Sequence, residues 1–164
     1  MGTHDVDAFE FCRKQELRSG EASVAGFVRL AAETLDSSGV IRWSVQGGSD
    51  GRGHLQMDLH VAGTVSLRCQ RCLGPMQHQI DSHAVVIVAA DDESADELDL
   101  QLADEPVEVI VGSTALDLLT LVEDEALLAL PPAPRHEQCT GDSQAVAPAE
   151  KKESPFAVLG KLKR

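Results

Sequence analysis

Four residues in two short groups carry most of the chemistry this chain can offer. Cys69-Gln70-Arg71-Cys72 is a Cys-x-x-Cys turn, and His136-Glu137-Gln138-Cys139 is a His-x-x-Cys pair far downstream. Three thiolates and one imidazole make a complete tetrahedral donor set for one zinc ion. The first pair can reach a single ion because a Cys-x-x-Cys turn points both sulfurs inward. The second pair must be brought from elsewhere, and Pro131-Pro132-Ala133-Pro134 stiffens the approach to it. Arg71, inside the knuckle, would temper the charge of the thiolates. Two other readings of these residues stay open: small buried thiols that pack without metal, and a redox dithiol formed by Cys69 and Cys72. Thioredoxin-like dithiols sit at a helix start after a strand, often with Pro or Gly between the cysteines. Here Gln70-Arg71 lies between them and strand patterns flank both sides.

The remaining reactive residues carry less signal. Cys12 lies in a polar, poorly patterned segment and reads as a free surface thiol. His54, His60, His78 and His83 are scattered over strand patterns without ligand spacing, so they read as structural or surface residues. No nucleophile elbow or paired catalytic acids can be identified, and the glycines of 47–53 lack the lysine and following helix of a phosphate-binding loop. The expectation is a chain with no catalytic residues, no enzymatic activity and no small-molecule substrate.

The elements that must position the cysteines are legible from periodicity. Leu55, Met57, Leu59, Val61, Val65, Leu67 and Cys69 sit at odd positions with polar residues between them, which predicts one long half-buried strand. Gly63 falls on its apolar face and predicts a bend or bulge. Met76, His78, Ile80, Ala84, Val86 and Val88 predict a second strand, which makes the knuckle the tip of a β-hairpin. A strand over 40–46 precedes a glycine-rich loop over 47–53. A helix is expected over 23–35, from Val24, Phe27, Val28, Ala31 and Leu35 behind a Ser23 cap. The segment 91–108, with nine carboxylates and no Lys or Arg, reads as an extended solvated loop, and 107–111 as a short strand. The strongest helix spans 114–130, with Thr114 and Asp117 as a capping pair and Pro131-Pro132 as its stop. The expected fold is α+β: an antiparallel sheet with a long central β-hairpin, a long acidic amphipathic helix and a flexible C-terminal tail. Residues 1–20 form a weakly ordered start, 21–139 a single domain, and 140–164 a flexible tail ending in a short basic and apolar helix.

Charge narrows the classes of partner. The 164 residues carry a net charge of −13, and from Leu73 to Glu150 seventeen Asp and Glu face one basic residue, Arg135. Such a surface repels phosphate and argues against general nucleic-acid binding, while permitting contact with a basic protein. Glu123-Asp124-Glu125 is either a solvated helix face or a docking surface for that partner. No apolar run near the start resembles a signal peptide, and none approaches the ~18 residues of a membrane span. The expected location is the cytosol, where a Cys-x-x-Cys turn means metal or redox chemistry more often than a disulfide.

The segment Gly63-Thr64-Val65-Ser66-Leu67-Arg68-Cys69-Gln70-Arg71-Cys72-Leu73-Gly74-Pro75 resembles the hallmark of the YceD family, the large ribosomal RNA subunit accumulation proteins. Asp117-Leu118-Leu119, Val122-Glu123-Asp124-Glu125 and Leu128-Ala129-Leu130-Pro131 are similar to its second block, and 155–163 to the tail of its proteobacterial branch. The resemblance runs in order from about Val24 to Arg164. It implies a cytoplasmic bacterial factor, not an enzyme, that supports synthesis, processing or stability of 23S ribosomal RNA. With that role, the charged residues lead to the expectation of a partner in the large-subunit precursor or its basic proteins, engaged through Arg71, Glu123, Asp124 and Glu125. RNA contact is expected to be indirect, and direct contact would have to use Arg68, Arg71 and the Lys-rich tail. Some relatives carry a richer cysteine cluster after the proline turn; here that cluster is reduced to His136 and Cys139, which with Cys69 and Cys72 are the residues to hold one zinc.

Overall fold

The long alternating segment becomes the centre of a sheet. In the computed structural model, which describes residues 4–139, β1 (Asp5–Val6), α1 (Ala8–Arg13) and β2 (Leu17–Ser23) come first. A single 3-10 turn (Val24–Gly26), α2 (Val28–Glu33), β3 (Val40–Ser49), β4 (Leu55–Arg68) and β5 (Pro75–Ala89) follow. The chain continues through α3 (Asp92–Gln101), β6 (Glu108–Val111), β7 (Leu116–Asp117) and α4 (Leu118–Leu128). Strands β2-β3-β4-β5-β6 lie side by side in that order, antiparallel except for the parallel β5–β6 pair. A parallel neighbour needs a crossover, and α3 supplies it.

Alternation decides which face is buried. Met57, Leu59, Val61, Val65 and Leu67 of β4 join Ile41, Trp43 and Val45 of β3 and Ile80, Val86 and Val88 of β5 in one aliphatic core. The helices cover this face: α1 rests on β3 and β4, α4 on β4 and β5, and α2 packs against α4. Phe11, Leu30, Leu118, Val122 and Ala126 close the core from the helical side. A second, two-stranded sheet pairs β1 with β7 and ties the start of the chain to the start of α4.

Several expectations are corrected. Residues 4–20 hold β1, α1 and the beginning of β2, because Phe11 and Cys12 bury an apolar face of a six-residue helix too short to show a period. Cys12 is therefore no surface thiol: it is 1% exposed and donates to the Gln56 carbonyl at 3.2 Å. The helix expected over 23–35 splits into the 3-10 turn and α2. The acidic segment 91–108 contains α3: Asp91 and Ser94 form a reciprocal capping box, and Asp92 and Glu93 lie in the first turn, where the helix dipole favours anions. The last helix starts later than expected, at Leu118, with Asp117 rather than Thr114 as its cap. Gly63 produces no bulge. It pairs in register with Ile41 and Ile80, and a side chain there would meet the Val40 carbonyl at 2.6 Å and Ile41 Cδ1 at 2.7 Å, so the missing Cβ lets the strands approach. The tail at 140–164 lies outside the described residues.

Candidate metal centre

Residues 69–74 form the tip of the β4–β5 hairpin, between the paired Arg68 and Pro75. The Cys69 N–H donates to the Gly74 carbonyl and the Leu73 N–H to the Cys69 carbonyl, each at 2.9 Å, which folds the tip into a closed knuckle. Leu73 adopts φ +61° to complete the turn. After α4 ends, the prolines carry the chain back to this tip, where the Gln70 N–H donates to the Pro134 carbonyl at 2.8 Å. That return sets His136 and Cys139 against the knuckle.

All four sequence-predicted ligands meet there. One donor atom from each of Cys69, Cys72, His136 and Cys139 lies within 4.8 Å of every other. Cys69 Sγ is 3.7 Å from Cys139 Sγ, and His136 Nδ1 is 3.4 Å from Cys72 Sγ and 3.9 Å from Cys139 Sγ. A tetrahedral zinc with ordinary bond lengths sets its sulfurs about 3.8 Å apart and sulfur from nitrogen about 3.6 Å apart. The observed edges fit that figure. His136 Nε2 lies 3.0 Å from the Pro75 carbonyl, which fixes its proton on that nitrogen and leaves Nδ1 free as a ligand. Protein side chains fill all four corners, the arrangement of a structural site rather than a catalytic one with an open position.

Electrostatics favour ionised sulfur. The Cys72 N–H aimed at Cys69 Sγ, aided by the His136 and Arg71 N–H groups and opposed by burial, brings the Cys69 thiol down to about 5. The Arg71 guanidinium, 3.0 Å from Cys139 Sγ, lowers that thiol as well. His136 is raised, chiefly by Cys139 and then by Cys69. Cys72 is raised: its neighbours Cys139 and Cys69, together with burial, outweigh the Gly74 N–H that favours its thiolate. Two of the three sulfurs, Cys69 and Cys139, are thus shifted toward the thiolate beside the Arg71 guanidinium, and thiolates are the form in which cysteine binds zinc.

The sequence model of the family described as large ribosomal RNA subunit accumulation protein YceD matches residues 57–163, which include the knuckle, α4 and both ligand pairs. This chain belongs to the YceD family. A curated relative of the same description from Haemophilus influenzae (strain ATCC 51907 / DSM 11121 / KW20 / Rd) is 37% identical over 121 residues. That alignment covers 69% of this chain and 64% of the relative. No solved structure matches the chain.

In this YceD protein the acidic run of α4 lies elsewhere than expected. Glu123 turns inward to α2 and accepts from the backbone N–H groups of Arg29 at 2.7 Å and Leu30 at 3.1 Å. Asp124 pairs with the Arg29 guanidinium. Glu125 is 8% exposed and accepts from the Ser82 hydroxyl beneath the helix. Where a solvated face or a docking surface was expected over 123–125, the three carboxylates make contacts within the fold, with Asp124 alone still half exposed. Arg71 likewise donates to the His136 and Glu137 carbonyls and braces the clasp. Sequence reasoning also missed His60, Asp81 and His83, which the β4–β5 register brings together, because cross-strand partners have no fixed spacing in sequence. No helix among the described residues is long and apolar enough to cross a membrane.

Proposed function

We propose that this YceD protein is a non-enzymatic ribosome-biogenesis factor that supports accumulation of 23S ribosomal RNA, and that Cys69, Cys72, His136 and Cys139 hold one zinc as a structural staple. Family membership carries the first part, through the name of the Haemophilus relative. The four-cornered donor set carries the second. Zinc in such a closed site supplies cross-linking rather than Lewis-acid chemistry. The residues around it orient the imidazole (Pro75), favour the Cys139 thiolate (Arg71) and lock the hairpin tip to the end of the helical layer (Gln70 to Pro134).

Contact with the assembling subunit is proposed through protein. With 123–125 engaged internally, the exposed acidic surface is α3, where Asp92, Glu93, Asp96, Glu97 and Asp99 face no Lys or Arg of their own helix. A basic ribosomal or assembly protein in the cytoplasm fits that charge. Direct RNA contact would fall to Arg68, Arg71 and the lysines of the tail.

The test is elemental analysis of protein purified without chelator, beside C69S and H136A, with each variant returned to a strain lacking the gene. About one zinc per chain in the parent, lost in both variants together with the 23S to 16S ratio, is the expected result. A metal-free parent overturns the staple. An unchanged rRNA ratio on deletion overturns the biogenesis role. The depressed Cys69 thiol favours one rival, a thiol-disulfide oxidoreductase using Cys69 and Cys72, and turnover of a dithiol substrate would establish it. Recovery of naked rRNA fragments without ribosomal protein in a pull-down would sink the protein-mediated contact.

A further inference from the structure

The sheet has a covered face and an open one, and the open face carries a second group of metal-ligating side chains. His60 of β4 and His83 of β5 are direct cross-strand partners. Side chains alternate along a strand, so Asp81, two residues before His83, shares that face. The two imidazoles stack with centroids 3.9 Å apart and planes 4° from parallel, and His60 Nε2 lies 2.9 Å from Asp81 Oδ1. One donor atom from each of the three lies within 4.8 Å of the others. Eight strand residues lie between His60 and Cys69, a span of roughly 30 Å, so this group is distinct from the cysteine clasp.

We propose that His60, Asp81 and His83 form a second metal site, for a borderline divalent transition ion such as zinc. Two imidazoles and one carboxylate are the donors of many three-ligand zinc sites, whereas calcium and magnesium take oxygen donors. His60 stands on β4, which is laddered to β3 and β5 at that point, and Asp81 and His83 stand on β5, laddered there to β4, so the backbone under all three side chains is held by the sheet. An ion would take the place of the proton between His60 and Asp81, and the His83 ring would turn out of the stack to bring the in-plane lone pair of a nitrogen to it. The site is open: the Asp81 side chain is 73% exposed, so the fourth corner is left to water. Arg42 and Glu21 border the same groove with opposite charges, and with three protein ligands against four the site is expected to bind more weakly than the clasp.

Zinc chloride is titrated calorimetrically into the full-length parent, the H60A/H83A double variant and D81N, in a buffer that does not chelate. The parent is expected to bind one more equivalent than H60A/H83A, whether or not the cysteine clasp fills first, since both proteins keep it. D81N should bind that extra equivalent at least roughly tenfold more weakly. Binding of the extra equivalent should shift the imidazole NMR signals of His60 and His83 in the parent. Equal stoichiometry in parent and double variant, or imidazole signals that do not move as the extra equivalent binds, overturns the proposal. Parent-like affinity in D81N overturns the three-ligand set.

Discussion

Single carboxylates in this molecule act as local caps, and their neighbours decide what each contributes. Phe27, at the start of α2, has no side-chain acceptor for the orphan amides of the first turn, and Glu123 supplies one from another helix. Such caps stabilise by about 1 kcal/mol, up to 2. Glu123→Ala is therefore expected to lower unfolding free energy by about 1–2 kcal/mol. Arg29→Ala should cost under about 1 kcal/mol, since that side chain is half exposed and its ion pairs are screened. Denaturant titration of the two variants checks the order, and a larger loss from Arg29 would contradict it. Asp50, in the turn between β3 and β4, accepts from the Arg52 and His54 N–H groups at 2.8 Å each and from His54 Nδ1 at 2.7 Å. Burial would raise this carboxyl, but those donors outweigh it and hold it well below the usual value of 3.8. A carboxyl lowered on folding stabilises above its unfolded value and ceases to as pH falls through its folded one. The Tm difference between parent and Asp50→Asn is thus expected at pH 5 and above, and should narrow below pH 4. Its persistence to the acid limit would count against this role of the Asp50 carboxylate.

At the scale of elements, Gly63 marks a close approach between β4 and β3. Gly63→Ala is expected to cost about 1–3 kcal/mol, because backbone stands where the methyl would go; an unchanged denaturation midpoint would show that the strands can part without loss. The elements most legible from the sequence were those with sustained alternation, β4 and β5, and with them the hairpin that presents the knuckle. Less was legible where context outweighed pattern. The acids of α3 pointed to self-repulsion, yet Asp91 and Ser94 cap one another and two acids sit at the favourable end of the dipole. In α1, anchoring is by shape: the Phe11 carbonyl stands 2.5 Å from where a Cβ of Gly47 would be, so strand β3 lets the helix settle onto it. The Cys69, Cys72, His136 and Cys139 cluster could be anticipated from residue type and spacing. His60 and His83 could not, since their meeting depends on the hairpin register alone.

For the whole molecule, the clasp joins two distant stretches of chain, and its effect on stability should be global rather than local. Removal of metal with a chelator is expected to lower Tm in the parent and leave Cys69→Ser unchanged, as scanning calorimetry would report. Equal sensitivity of both proteins would place the bound metal elsewhere. The same joining has a consequence in time. Cys69 to Cys139 bounds a ring of chain that holds β5, α3, β6, β7 and α4 while leaving β2 and β3 outside. The ring cannot close until α4 has settled on the sheet and the prolines have turned back, so closure belongs to the last stage of folding. Interactions formed after the transition state slow unfolding and leave the folding rate almost untouched. Stopped-flow measurements with and without zinc should therefore share one refolding limb and part on the unfolding limb, making the ion a brake on opening rather than a guide to assembly.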